Sequence, residues 1–425
     1  MSGYGNRTGL STGVHDPLKA TALVLDDGAV AVGIVSVDLL NVSRELTRSV
    51  RRSLEERGVR LDQLVLAATH THAGPHVPAR ALDVSPVLSA DTDVSDTVDR
   101  IERRLVDALA SAAERVEPAG LRIGHARETD APRNRRAAGG IGGNVRMPAG
   151  PVDPEVTALL IETASGERTV VYNFACHPVC TTGDETLLSA DWPGYARRRI
   201  EREHADATVL FLNGAAGEIN PSGMDPERSG DAVYEYMERI GTTVGEAVLR
   251  AIDDAESSDD AIRRAPIWVD EARVGLPVKS TPPVEEIRKH VASLDEQLEQ
   301  LERAGDEVGR EKVFRDRQYA RTLLAIAEWD ATSLPTHIPY VEVGDLGVLG
   351  IPGEALVRHG LDLKAEARVS TLIPAGYAND YVGYVPTLAD LESIGYEVRT
   401  AKIAPEAIVE FRRATRRLVG ADDAL

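Results

Sequence analysis

The hydrophobic pattern of the first 70 residues predicts two strands, a helix and a third strand. The β-branched runs 20–25 and 29–37 flank Asp26-Asp27-Gly28, a turn sequence typical of a β-hairpin. Residues 44–57 form a polar amphipathic pattern that predicts a helix. The nearly all-apolar run 63–69 predicts a strand with both faces covered.

Helices and strands continue to alternate along the rest of the chain. We predict helices over 98–113, 193–204 and 231–253 and strands near Leu121 and over 156–162, 169–175, 208–213, 340–343 and 348–351, with a last helix at the C-terminus. Residues 133–150 lack periodicity and indicate a surface loop. The pattern predicts an α/β fold, a mixed β-sheet flanked by helices, in a single large domain over residues 1–425.

One segment departs from this alternation. Residues 284–329 are strongly charged, with Leu294, Leu298 and Leu301 at helical spacing and a break near Gly305. We interpret the segment as a two-helix excursion that is either a solvated arm or an oligomer contact, which leaves a homo-oligomer open.

Charge narrows the range of functions. The chain has 48 basic and 68 acidic residues, so the formal charge is 48 − 68 = −20 at pH 7. This charge repels phosphate backbones and anionic lipid, which argues against nucleic-acid binding. Only six of the basic residues are lysines. An acid-rich, lysine-poor surface suits a high-salt, halophilic cytoplasm, and a GC-rich genome is the alternative explanation.

The expected cellular compartment is inferred from sequence features. The N-terminal residues show no secretion signal, and no apolar run is long enough for stable membrane insertion. Cys176 and Cys180 are the only cysteines, which excludes a disulfide scaffold. We therefore expect a soluble cytoplasmic protein, and we interpret the two cysteines as small buried hydrophobes.

Polar residues follow several apolar strands. Thr69-His70-Thr71-His72 ends the third predicted strand, and residues two apart on a strand point to the same side, so His70 and His72 can face one point. His177 follows the strand 169–175, at an equivalent position. Because sites in α/β sheets gather at the carboxyl ends of strands, the three histidines are candidate metal ligands, although strand-end histidines are also often structural.

Three further motifs are individually weak. Phe211-Leu-Asn-Gly-Ala-Ala-Gly-Glu-Ile-Asn-Pro221 is a glycine-rich turn that brings Glu218 and Asn220 toward a ligand. Ile351-Pro-Gly-Glu354 follows another strand, and Asn379-Asp-Tyr-Val-Gly-Tyr384 is a tyrosine-rich loop. Glu354 could also simply cap the helix that follows.

Taken in order, these motifs resemble the catalytic domain of the neutral/alkaline ceramidase family. The motifs that carry the resemblance are THTHAGP, NFACHPV, FLNGAAGEINP, IPGE and NDYVGYVP. In that family one catalytic zinc ion (Zn2+) is held by two histidines, a glutamate and a tyrosine, and an N-acyl amide is hydrolysed by metal-activated water. By position, the resemblance implies the zinc ligands His70, His177, Glu354 and Tyr384, with Tyr381 as the alternative to Tyr384.

The resemblance also implies residues on the substrate side. These are His72, Arg135, Asn220 and Tyr396. His72 and Arg135 would stabilise the oxyanion that forms during hydrolysis. Asn220 stands where the family has its active-site serine; it cannot be a nucleophile, but it can donate a hydrogen bond.

Two departures affect the expected substrate. The family's serine is replaced, and its C-terminal immunoglobulin-like domain and secretion signal have no counterpart in this sequence. We therefore predict a zinc-dependent amide hydrolase whose substrate is a soluble small molecule rather than ceramide. The alternative is a metal-binding, ceramidase-like protein without hydrolase activity that serves as a binding or scaffold module.

Overall fold

The computed structural model describes residues 1–5, 7, 10–78, 94–136, 150–225, 227–258, 261–329, 331–393 and 395–421. The strands in these ranges are β1 Gly13–Val14, β2 Ala20–Asp26, β3 Ala31–Val37, β4 Gln63–Ala68, β5 Ala119–Arg127, β6 Pro132–Asn134, β7 Glu155–Thr163, β8 Arg168–Phe174, β9 Leu187–Leu188, β10 Ala207–Asn213, β11 Ile219–Pro221, β12 Ile267–Pro277, β13 Ser333–Val343, β14 Leu346–Gly350, β15 Glu354–Ala355, β16 Thr371–Ala375 and β17 Tyr384–Val385. The α-helices are α1 Arg44–Glu56, α2 Ser95–Glu114, α3 Trp192–Glu203, α4 Asp231–Ser257, α5 Val284–Ala304, α6 Glu307–Glu328, α7 Val357–Glu366, α8 Tyr396–Thr400 and α9 Pro405–Leu418.

Most predicted elements are confirmed with small shifts of their ends. Among the described strands of five or more residues, β12 and β16 were not predicted, and β13 begins seven residues before the predicted position 340. The short strands of two or three residues were not predicted either. Of the predicted loop 133–150, residues 137–149 lie outside the described ranges.

Three sheets contain most of the strands. Their strand orders are β2-β3-β4, β10-β8-β7-β5 and β12-β13-β14-β16. Each sheet holds one parallel pair, which is β3–β4, β8–β10 or β14–β16. Parallel neighbours need a crossover, and α1, α3 and α7 supply it in the three sheets. The mixed α/β class is thus confirmed, with the expected sheet divided into three βαβ-containing sheets.

The three sheets share one apolar core. Buried side chains from each of them form a single cluster, for example Ile34 in β3, Val171 in β8 and Val348 in β14. Helices α3 and α4 pack on the second sheet through residues such as Trp192 and Val248. This common core fixes the orientation of the sheets relative to one another.

The carboxyl ends of the parallel strands meet at one place. The Asn213 side chain, at the end of β10, donates hydrogen bonds to the carbonyl of Thr69 after β4 (3.1 Å) and to that of Cys176 after β8 (3.2 Å). The backbone N–H of Gly376, after β16, donates to the Asn213 carbonyl (2.8 Å). Strand ends from all three sheets therefore surround a single point, where α/β proteins commonly bind ligands.

Helices α5 and α6 account for the charged segment 284–329. The predicted break lies at Gly305, which caps α5 in the left-handed region (φ 69°). The two helices pack through buried Ile287, Val291, Leu294 and Ala320. Helix α6 is not a solvated arm, because Phe314 and Arg317 on it line a cavity that also contains His70 and Glu354. Among the described helices, none combines the length and the hydropathy needed to cross a bilayer.

Candidate metal centre and active site

The turn after β4 aims His70 and His72 at each other. The strand ends at Ala68, and His70 adopts a left-handed conformation (φ 72°), which is uncommon for a residue other than glycine. The two Nε2 atoms lie 3.3 Å apart. The expectation that strand alternation would align the pair is therefore wrong; the turn brings them together.

His177 and Glu354 complete a buried cluster with His70. The Oε2 atom of Glu354 lies 3.1 Å from Nε2 of His177 and 3.5 Å from Nε2 of His70. The ligand atoms of His70, His72 and His177 lie within 4.8 Å of one another. Three of the four predicted zinc ligands therefore meet at one point.

The Nδ1 atoms of His70 and His177 both face backbone carbonyls. Nδ1 of His70 lies 2.6 Å from the Leu40 carbonyl, and Nδ1 of His177 lies 2.6 Å from the Ala216 carbonyl. A carbonyl oxygen only accepts, so both Nδ1 atoms carry a proton, which leaves both Nε2 atoms for the interior of the cluster. Burial lowers the pKa of His177 to about 4, so its ring is neutral at pH 7.

The neutral ring of His177 thus turns its Nε2 lone pair toward the Glu354 carboxylate, and the two groups repel each other. A metal cation resolves this repulsion, and imidazoles held by carbonyls through Nδ1 are typical of metal ligands. Nitrogen and carboxylate ligands suit zinc. The residues present therefore fit the zinc ion that the sequence predicted.

His72 differs from the two other histidines. Its Nδ1 is buried without a hydrogen-bond partner in the described structure, so no carbonyl sets its tautomer. Burial holds the pKa of His72 well below its usual value. The ring packs edge-on against Tyr4 (centroids 5.0 Å apart), and the His72 carbonyl accepts from Arg7. Sequence analysis missed this N-terminal segment, because no motif marks it.

The two tyrosines of the Tyr-x-x-Tyr loop take different partners. The Tyr381 hydroxyl donates to Oε1 of Glu354, the carboxylate oxygen that faces away from the histidine contacts. The Tyr384 hydroxyl accepts from Nη2 of Arg135 (3.0 Å). Burial raises the pKa of both hydroxyls well above their usual value. Tyr377, which no motif singled out, stacks on the His70 ring with centroids 3.9 Å apart.

Arg135 links the predicted substrate-side residues. Its Nη1 donates to Oδ1 of Asn220 (3.2 Å), and its guanidinium lies 5.5 Å from the centre of the Tyr396 ring. Its Nε donates to Glu397 (2.7 Å), a fully buried acid that sequence analysis missed. Although burial opposes it, Tyr384 and Glu397 hold the pKa of Arg135 well above its usual value.

A cavity of about 190 Å³ opens onto this cluster. Its walls include His70, His72, Glu354, Tyr384 and Tyr396. The N-terminal residues 2–5 and helix α6 supply further parts of the wall. Cys176 and Cys180 are free and buried, as predicted, and burial raises the pKa of both thiols well above the usual value.

Together, these features define a mixed α/β protein whose strand ends hold a buried histidine–carboxylate site. The family model described as neutral/alkaline non-lysosomal ceramidase, N-terminal, matches residues 1–227, more than half of the chain. The chain belongs to this family, which confirms the resemblance found in the sequence.

Individual relatives are distant in sequence. The neutral ceramidases of Mycobacterium tuberculosis and Pseudomonas aeruginosa are each 24% identical over 93% of this chain, and the matches cover 70% and 66% of those proteins. The crystal structure of the P. aeruginosa enzyme superposes with a TM-score of 0.74 at 20% identity, covering 98% of this chain and 72% of that one. A ceramidase complexed with C2 gives a TM-score of 0.72, also at 20% identity, over 99% and 72% of the two chains. The fold is therefore shared with these proteins.

Proposed function

We propose that the protein is a zinc-dependent hydrolase that cleaves the amide (N-acyl) or a related acyl bond of a small molecule. The observation that carries this function is the convergence of two Nε2 atoms, from His70 and His177, on the Glu354 carboxylate, with both Nδ1 atoms held by backbone carbonyls. The relatives named neutral ceramidases support amide hydrolysis as the reaction.

His70, His177 and Glu354 would hold the metal, with Tyr384 as fourth ligand and Tyr381 as the alternative. A bound zinc ion would supply a Lewis acid that polarises an acyl carbonyl and lowers the pKa of water to about 7.

The substrate-side residues would act on the acyl group. His72 and Arg135 would donate hydrogen bonds to the oxyanion that forms when water attacks the acyl carbon. Asn220 cannot replace the family's serine as a nucleophile, but its amide can donate to a substrate carbonyl or hydroxyl. Tyr396, with its ring against Arg135, would keep the guanidinium in place.

The test combines metal content with turnover. We expect about one zinc per chain by inductively coupled plasma mass spectrometry, with hydrolysis of a panel of N-acyl amides and lactones that chelation abolishes. His177→Ala should lose the metal and the activity. His72→Ala should keep the metal and lose about 10²–10³-fold in kcat, because its role is toward substrate. The control is His290→Ala, at an exposed histidine on α5.

Activity that survives complete removal of metal would contradict the zinc mechanism. A wild type that binds zinc and hydrolyses none of the panel would favour the alternative, a metal-binding protein that serves as a binding or scaffold module. The complete set of candidate ligands speaks against that alternative, since a site without catalysis does not require His72 and Arg135 beside it.

A further inference from the structure

Arg317 and Arg321 of α6 line the cavity that opens onto the histidine cluster. Arg317 and Arg321 are one helical turn apart, so their side chains share a face of the helix. Both line the same cavity as His70, His72 and Glu354. The two arginines and the histidine cluster therefore border one common space.

The two arginines share one nearby acid, Asp295 of α5, so together they keep a net positive charge. Arg317 forms an ion pair with Asp295 of α5. Arg321 is half-buried and makes no hydrogen bond or ion pair with the part of the chain that the structure describes. Burial and the neighbouring Arg317 lower the pKa of Arg321, which reflects the cost of an unpaired cation in this position. Arg321 therefore has donors available to a ligand.

No acid inside the cavity neutralises this cation. Among the described lining residues, Glu354 is the single carboxylate, and its two oxygens already face the histidines and Tyr381. Lys402 adds a third cationic side chain to the walls. The α6 side of the cavity is thus electropositive, although the whole chain carries −20.

Helix α6 is held in this position by contacts with α8. Asp316 lies 3.6 Å from Arg399, and the Arg399 guanidinium stacks 3.8 Å from the centre of the Tyr319 ring. Tyr319 also packs against Tyr396, with centroids 6.4 Å apart. Because α8 carries Tyr396, the arginines keep a fixed position relative to the predicted substrate-side residues.

We propose, given the hydrolase function above, that the substrate is an acyl amide that also carries a carboxylate or a phosphate group. Arg321, supported by Arg317, binds this anionic group. A guanidinium presents parallel N–H donors that match a carboxylate or a phosphate. The simplest substrates of this class are N-acyl amino acids. N-acyl aminoalkyl phosphates offer the same recognition chemistry.

The first experiment compares matched substrates on the wild-type enzyme. The substrates are N-acetyl ω-amino acids of increasing chain length, each with its neutral methyl ester, and one N-acetyl aminoalkyl phosphate. We expect kcat/KM for the acid to exceed that for the ester on the order of 10- to 100-fold at the chain length that spans the cavity. A stronger preference for the phosphate would identify that group as the natural anion.

The second experiment removes the cation. Arg321→Gln should lower kcat/KM for the acid to within about threefold of that for the ester. Arg321→Lys should retain part of the preference, since it keeps the charge without the paired donors. Arg310→Gln makes the same charge change at an exposed position of α6 and should leave the preference intact.

Calorimetry of N-acetyl amino acids and their amides separates this inference from the hydrolase function. Suppose that the protein shows no turnover but binds the anion more tightly than the neutral amide, and that Arg321→Gln abolishes this preference. That result would support the anion site and contradict the hydrolase function. The anion site would be contradicted if the wild type bound and hydrolysed the charged and neutral compounds equally well. It would also be contradicted if Arg321→Gln left a preference for the anion unchanged. Neither result would contradict the hydrolase function.

Discussion

His70 and Tyr377 both adopt a left-handed backbone conformation (φ 72° and 56°), and their rings stack on each other beside Glu354. Such a conformation costs on the order of 1–3 kcal/mol for a residue other than glycine, and it persists where surrounding contacts enforce it. Here the N–H of His70 donates to Leu39, and that of Tyr377 to Gly353. Strain of this kind is concentrated at functional sites, which supports the role of His70 as a metal ligand.

Asn220 provides a test of the substrate-side chemistry. Its Oδ1 accepts from Arg135 and its Nδ2 donates to the Met224 sulfur (3.2 Å), which leaves one amide hydrogen for a substrate group. Asn220→Ala should lower kcat by about 10²–10³-fold without loss of zinc, as expected for one donor to a developing oxyanion. Steady-state kinetics on the best amide, together with metal analysis, measures both effects.

Ser222 serves as the control for Asn220, because it is the serine nearest to the position of the family's nucleophile. Its backbone N–H donates to Ala131, and its carbonyl accepts from Tyr236. Ser222→Ala should leave turnover unchanged. A large loss in Ser222→Ala, with little loss in Asn220→Ala, would point to a serine nucleophile instead.

Tyr381 and Tyr384 should differ in their effect on metal affinity. Tyr381 donates to the Glu354 oxygen that faces away from the histidine contacts, so Tyr381→Phe should weaken zinc binding by about 10–100-fold, as is usual for outer hydrogen bonds. Tyr384→Phe removes the predicted fourth ligand and should weaken binding further. Competition with a chromogenic chelator ranks the two variants; the reverse order would identify Tyr381 as the ligand.

The turn between β10 and β11 connects the site to α7 through a buried acid. Oε2 of Glu218 accepts from the N–H of Val357, the first residue of α7 (2.8 Å). Burial raises the pKa of Glu218 to about 8, so the folded protein keeps this carboxyl protonated at neutral pH. The unfolded chain, with a carboxyl pKa of about 4.3, releases the proton.

Stability should therefore fall with rising pH between about 4.3 and 8, because the unfolded state loses a proton that the folded state retains. Glu218→Gln keeps an acceptor for Val357 and removes the titration. We expect the melting temperature of the variant, relative to that of the wild type, to increase from pH 5 to pH 8. The corresponding change in the free energy of unfolding is on the order of a few kcal/mol. A difference that stays constant across this range would show that Glu218 is ionised in the folded state.

The net charge of −20 makes the stability of the protein sensitive to the salt concentration. If the acidic surface is a halophilic adaptation, the melting temperature should rise from about 0.1 M to about 3 M KCl, because screening relieves the repulsion among carboxylates. Sucrose at matched osmolarity is the control, since it stabilises by exclusion without screening. A flat curve in KCl would favour a genomic preference for arginine as the origin of the composition.

Local patterns were sufficient to locate most of the secondary structure. Apolar runs and amphipathic periodicity predicted β4, β8, β10 and α3, because burial of one or both faces leaves a period in the chain. The edge strand β12 escaped prediction, since its half-exposed residues follow no clear alternation. The candidate ligands His70 and His177 were found because each follows the end of an apolar strand, whereas Glu354 was assigned through the family that the ordered motifs resemble.

Tertiary structure alone decided how these parts act together. It divided the strands among three sheets, aimed His70 through a left-handed turn, and placed Tyr381 rather than Tyr384 on Glu354. It also brought Arg321 of α6 to the cavity, although it lies 321 − 177 = 144 positions after His177 and still farther from His72 in the sequence. Periodicity records which face of a segment is buried, but the partner that buries it is chosen by contacts between distant segments, and those leave no local signal.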